Sequence, residues 1–91
     1  MSEPQRWRVT IERDVEKRLA RLPRDVRERL ATAIDRLEEN PRHPGVTQLT
    51  GYSNLYRVRV GDWRIIFTIR DEHLVVVVIE VDVRGSVYRQ F

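Results

Sequence analysis

Three arginines, Arg57, Arg59 and Arg64, are spaced so that one short piece of backbone can gather them. Gly61 and Asp62 lie between the last two, a dipeptide suited to a two-residue hairpin turn, and residues on both sides alternate between apolar and polar. With those two residues as the turn, Val60 faces Trp63, Val58 faces Ile65 and Tyr56 faces Phe67, which makes one continuous apolar face. The opposite face then carries all three arginines, with Arg59 and Arg64 directly opposed. Like charges in that position repel. One reading makes them ordinary solvated sheet residues, paired with Asp62, Glu80 or Asp82. The other places an anion among them, because guanidinium forks match phosphate or carboxylate and stay protonated at neutral pH. A patch of this kind on strands suits the stabilisation of charge developing on a phosphate, since strands fix geometry better than loops do.

Other chemistries find less support. His43 lies between Pro41 and Pro44 in a connecting loop, and His73 lies in a turn at the far end of the strand from Arg64. The latter separation is roughly 20 Å at about 3.3 Å per residue. Both histidines therefore read as solvated turn residues rather than a paired acid and base. The chain has no cysteine, which excludes disulfides and thiolate metal sites. Its acidic residues show no metal-ligand spacing and it has no glycine-rich phosphate loop, so neither a metal nor a cofactor is expected.

The elements that must position the patch follow from periodicity. Trp7, Val9 and Ile11 alternate with Arg8, Thr10 and Glu12, the period of a half-buried strand. Asp14 is the expected cap of a first helix whose stripe is Val15, Leu19 and Leu22, and Pro23 should end it. A second helix presents Val26, Leu30, Ile34 and Leu37 on one face, with Asn40 and Pro41 as its stop. Residues 40–54 read as an ordered loop anchored by Leu49. Strands are expected over 55–60, 63–70 and 74–82, with turns at 61–62 and 71–73. The run 74–79 does not alternate, which predicts a central strand covered on both faces. The fold class is α+β: an N-terminal strand, a helical hairpin, then a three-stranded antiparallel meander in one sheet carrying the helices on one face. Trp7, Tyr56 and Trp63 belong to the core by parity, while residues 87–91 can dock on the sheet or in the site.

At 91 residues the chain makes one domain, spanning 1–91. Its net charge of +3 is weak evidence for a nucleic-acid partner, but sixteen of its seventeen basic residues are arginine, the better phosphate fork. No apolar run reaches membrane-spanning length and the N-terminus lacks the apolar stretch of a signal peptide, so a cytoplasmic location is expected.

The stretch Leu55-Tyr56-Arg57-Val58-Arg59-Val60-Gly61-Asp62-Trp63-Arg64-Ile65-Ile66-Phe67 resembles the signature hairpin of the RelE/ParE toxins of type II toxin–antitoxin systems. The family pattern there is tyrosine, basic, apolar, basic, apolar, glycine, aspartate, aromatic, arginine. The Leu22-Pro23 break, Asn40-Pro41, the Leu49-Thr50-Gly51 approach and residues 81–88 agree as well, so the likeness runs from Arg6 to Phe91.

In the RelE branch the resemblance implies a metal-independent endoribonuclease that cuts messenger RNA on the ribosome, with the RNA 2′-hydroxyl attacking the adjacent phosphate. The family's catalytic set falls on Arg57, Arg59, Arg64, Arg84 and Tyr88. Arg57, Arg59 and Arg64 would hold the scissile phosphate, Arg84 would assist the leaving group, and Tyr88 would stack on a base or help activate the hydroxyl. Toxins of the ParE branch, which poison DNA gyrase, generally lack this full set, so the RelE branch is preferred. Gyrase inhibition, or a decayed toxin that only assembles complexes, is the alternative. The resemblance also implies a cognate antitoxin whose C-terminal segment wraps the toxin, and hence a hetero-oligomer. Two departures stand out. Arginine holds the second-strand positions where lysine is typical, and a guanidinium does not readily act as a general base. Asp82 and Val83 stand where the family commonly has glycine and histidine, which sets a negative charge beside the site.

Overall fold

The computed structural model describes residues 6–83. Its elements in chain order are β1 (Arg8–Ile11), α1 (Arg13–Ala20), α2 (Arg24–Glu39), β2 (Val46–Gln48), β3 (Tyr56–Val60), β4 (Trp63–Arg70) and β5 (Val75–Val83). The strands form one sheet in the order β1-β5-β4-β3-β2. The expected α+β class holds, with strands β3, β4 and β5 as the antiparallel meander. Two features enlarge it. Strand β1 pairs with β5 in parallel, and the loop between helix and hairpin contains the short edge strand β2, antiparallel to β3.

Parity puts one face of the sheet against the helices. Val58, Ile65, Phe67, Ile69, Val76, Val78 and Val81 pack with Val15 of α1 and Leu30, Ile34 and Leu37 of α2 in a single apolar core, and Trp7, Tyr56 and Trp63 pack against it. Tyr56 stacks on Phe67 with ring centroids 5.9 Å apart. Each of the larger core side chains contributes about 1.5–3 kcal/mol by leaving water, so the hairpin's apolar side is what fixes its arginine side.

Three expectations are corrected. Asp14 is not the cap of α1: the helix begins at Arg13 after Glu12, with no side-chain cap, so Asp14 falls in the first turn, where its charge still suits the helix dipole. Strand β5 is interior to the sheet, but among the described residues its outer face is only partly covered: Val75, Val77 and Ile79, which point away from the core, are half-buried, where Val76 and Val78 are fully buried. His43 is not solvated. It is 8% exposed because the turn after Pro41 folds back on it: the Gly45 backbone N–H donates to His43 Nδ1 at 3.0 Å. A Cβ at Gly45 would sit 2.9 Å from His43 Cε1. Burial holds this imidazole below its ordinary pKa, and the nearby Arg36 charge pushes the same way.

Candidate functional site

The hairpin register is the one the turn dictates. Val60 pairs with Trp63, Arg59 with Arg64, Val58 with Ile65, Arg57 with Ile66 and Tyr56 with Phe67. Gly61 has φ 61° and Asp62 has no positive φ, the pattern of a type II′ turn with glycine first, whose twist matches that of the strands. Arg57, Arg59 and Arg64 therefore share the sheet face turned away from the helices. Arg59 and Arg64 stand side by side on strands about 4.8 Å apart.

The same face continues onto β5. Across β4, Arg64 is level with Asp82 and Ile66 with Glu80, after a register shift at Ile66 and Phe67. The bulge is what returns Glu80 and Asp82 to this face. Ile66, flanked by Arg57 and Glu80, is 1% exposed yet lies outside the main core. Asp82 is 7% exposed. Its Oδ1 accepts from Arg18 Nη2 at 2.8 Å and from the Val83 backbone N–H at 2.7 Å.

Arg18 comes from α1, which packs against β5. Strand β1 reaches only as far as Val78 on β5, so Glu12, Val15 and Arg18 meet Ile79, Glu80 and Val81 beyond its end. Burial lifts the Glu80 carboxyl above the usual carboxylate range, and Asp82 adds to this while Arg18 opposes it. Both acids of the site are thus drawn toward α1. Among the described residues neither Arg57 nor Arg59 takes part in an ion pair. The third member of the patch, Arg64, is level with the acid that Arg18 engages.

A fourth arginine approaches from the helical layer. A Cβ built on Gly61 would collide with Arg29 Nη2, so the α2 guanidinium lies against the bare Cα of the hairpin turn. Arg18 and Arg29 had no local signal in the sequence. Each sits on a charged helix face that reads as solvated, and only the tertiary fold brings it to the hairpin.

Arg84 and Tyr88, the remaining members of the expected set, lie outside the described residues. Among the described residues, no group of three or more His, Asp or Glu side chains is placed to hold a metal, and no helix is long and apolar enough to cross a membrane.

The model for the ParE toxin of the type II toxin–antitoxin system parDE matches residues 6–88. The chain belongs to the RelE/ParE superfamily of toxins. Its solved relatives place it with the RelE toxins. A RelE–RelB complex from the archaeon Pyrococcus horikoshii OT3 shares 32% identity over 89% of this chain and 98% of that one, with a TM-score of 0.76. The isolated E. coli RelE toxin has 24% identity over 90% of this chain and 88% of that one, with a TM-score of 0.77. The Mycobacterium tuberculosis RelBE2 toxin–antitoxin complex has 22% identity over 94% and 100% of the two chains, with a TM-score of 0.79. At the identities of the latter two, the likeness speaks for the fold alone. Nothing among curated proteins matches the chain. This RelE-type toxin thus carries the signature hairpin on a five-stranded sheet, with its arginines on one side and its apolar side buried under the two helices.

Proposed function

We propose that this toxin is a ribosome-dependent endoribonuclease that cuts messenger RNA without a metal. The observation that carries the proposal is the pairing of Arg59 with Arg64 beside Arg57 on one rigid sheet face. Opposed guanidinium groups are costly unless an anion joins them, and among the described residues Arg57 and Arg59 make no ion pair. In the reaction the 2′-oxygen of one nucleotide bonds to the adjacent phosphorus and the bond from phosphorus to the 5′-oxygen breaks, leaving a 2′,3′-cyclic phosphate and a 5′-hydroxyl. The 2′-proton must leave and the 5′-oxygen must gain one. Arg57, Arg59 and Arg64 hold the scissile phosphate and stabilise the charge that grows on its free oxygens. Arg84 assists the leaving oxygen, and Tyr88 stacks on a base or helps take the 2′-proton, since surrounding cations favour the phenolate.

Solved relatives bound to antitoxins support a cognate antitoxin for this chain, one that covers the basic face and forms a hetero-oligomer with it. The test is cleavage of message on translating ribosomes by wild type, Arg59→Gln and Arg64→Gln, with DNA gyrase and supercoiled plasmid as a parallel assay. Wild type should cleave, and each variant should lose about 10²-fold in rate, as expected for a charge-stabilising donor. Variants as active as wild type, or a wild type that traps cleaved DNA and spares message, would defeat the proposal.

A further inference from the structure

We propose that α2 adds a second phosphate-binding cleft beside the hairpin, built from Arg29 and Arg36 and bordered by Arg59, which takes a neighbouring phosphate of the same RNA strand. The inference rests on the ribonuclease reading above and extends it. Strand β2 pairs with β3 only at residues 56–58, so the β3 edge at Arg59 and Val60 is left without a strand partner on that side. There a cleft of about 330 Å³ opens between α2 and β3, lined by Arg29, Thr32, Ala33, Arg36, Arg59 and Val60.

Arg29 and Arg36 are seven residues apart on α2, two turns along one face, with small or hydroxyl side chains between them. Three of the five acids of α2 are engaged or turned elsewhere. Glu28 pairs with Arg24, Glu38 pairs with Arg6, and Asp35 lines the groove on the other side of the helix with Ile11 and Leu19. Glu39 makes no ion pair with Arg36, and Asp62 in the hairpin turn makes none with Arg29. Two cations of α2 thus line a cleft that Arg59 borders from the strand, and among the described residues no carboxylate pairs with any of the three. Gly61 completes it. Because that residue lacks a Cβ, the Arg29 guanidinium can lie over the turn and so next to the strand position that holds Arg59. A flexible polyanion threading past the hairpin fits this arrangement, with one phosphate at Arg57, Arg59 and Arg64 and the next in the cleft.

The test uses a short, uncleavable 2′-O-methyl RNA and follows its affinity for the full chain from about 50 to about 200 mM salt. Each phosphate contact on a single strand contributes about 0.7 to the slope of log affinity against log salt. The pair Arg29→Gln/Arg36→Gln should flatten the slope by about 1.4, so that over this fourfold salt range it loses about sevenfold less affinity than wild type. Arg29→Lys/Arg36→Lys, which keeps the charges, should restore the slope. Single Gln variants, each expected to flatten it by about 0.7, carry the test should the pair unfold. An unchanged slope overturns the proposal, and an unchanged slope with weakened antitoxin binding reassigns the cleft to the protein partner. If wild type cleaves message and the slope is unchanged, the cleft alone falls. If the slope falls as expected and wild type spares message, the ribonuclease reading fails and the cleft stands as an RNA site.

Discussion

Replacing Asp82 with Asn removes one charge and keeps the side chain's shape and one acceptor oxygen, so it isolates what the acid contributes to the arginine face. An exposed ion pair contributes about 0–1 kcal/mol, while removing one partner of a fully buried pair costs about 3–5 kcal/mol. The pair here is mixed. Asp82 is 7% exposed, but the Arg18 side chain is 45% exposed and can turn into water once its partner is neutral. The variant also weakens the bond accepted from the Val83 N–H, which no longer ends on a charged oxygen. The loss is therefore about 1–2 kcal/mol, which a thermal melt would register as a drop of roughly 4–16 °C for a domain of this size. RNA affinity should move the other way. A negative charge about 6 Å from a bound phosphate, at an effective dielectric between those of protein surface and water, opposes binding by about 1 kcal/mol, so Asp82→Asn should bind RNA roughly fivefold more tightly. Melting curves and an RNA titration at one fixed salt concentration check both arms. A variant with unchanged melting temperature, or with weaker RNA binding, would refute the assignment of Asp82 as an acid that holds the face together while opposing its ligand.

Two further outcomes follow from the fold. Because the His43 imidazole is held below its ordinary value by burial, the unfolded chain takes up the proton first, and stability should fall as pH drops through about 6.5 toward the folded value. Protonation at Nδ1 would also end the bond from Gly45. His43→Asn should be less stable than wild type at neutral pH by chemical denaturation, with the gap narrowing at lower pH; a gap independent of pH would contradict this. Gly61→Ala should cost about 1–3 kcal/mol from its left-handed backbone alone, and more through its collision with Arg29. The collision part, but not the backbone part, should be relieved in Gly61→Ala/Arg29→Ala, and strict additivity in that double-mutant cycle would rule out the contact.

The hairpin was legible in the sequence because its information is local: a two-residue turn with glycine first, flanked by strict alternation, determines which residue faces which from Tyr56 to Phe67. The helices were legible for a similar reason, since Leu30, Ile34 and Leu37 recur at helical spacing. Strand β2 was not, because three residues, Val46–Gln48, are too few to show a period and lie in a segment rich in proline and glycine. The burial of His43 was missed because it comes from the loop folding onto its own ring, while flanking prolines read only as a turn. Half of the site's electrostatics was equally hidden. Arg18 and Asp82 are 64 residues apart, and Arg29 meets Gly61 only through packing of α2 across the sheet. No short-range pattern encodes such meetings.

The parallel pairing of β1 with β5 bears on how the molecule comes into being. Arg8 lies level with Val75, so the earliest strand waits for nearly all the intervening chain before it has anything to bond to, and that long loop closure slows folding. A copy broken off before Val75 would leave β1 with no strand to pair with and would take Val76, Val78 and Val81 out of the core. It would also lack Asp82, the anchor that Arg18 needs. A chain cut short there lacks both the strand that joins β1 to the sheet and the acid that Arg18 engages.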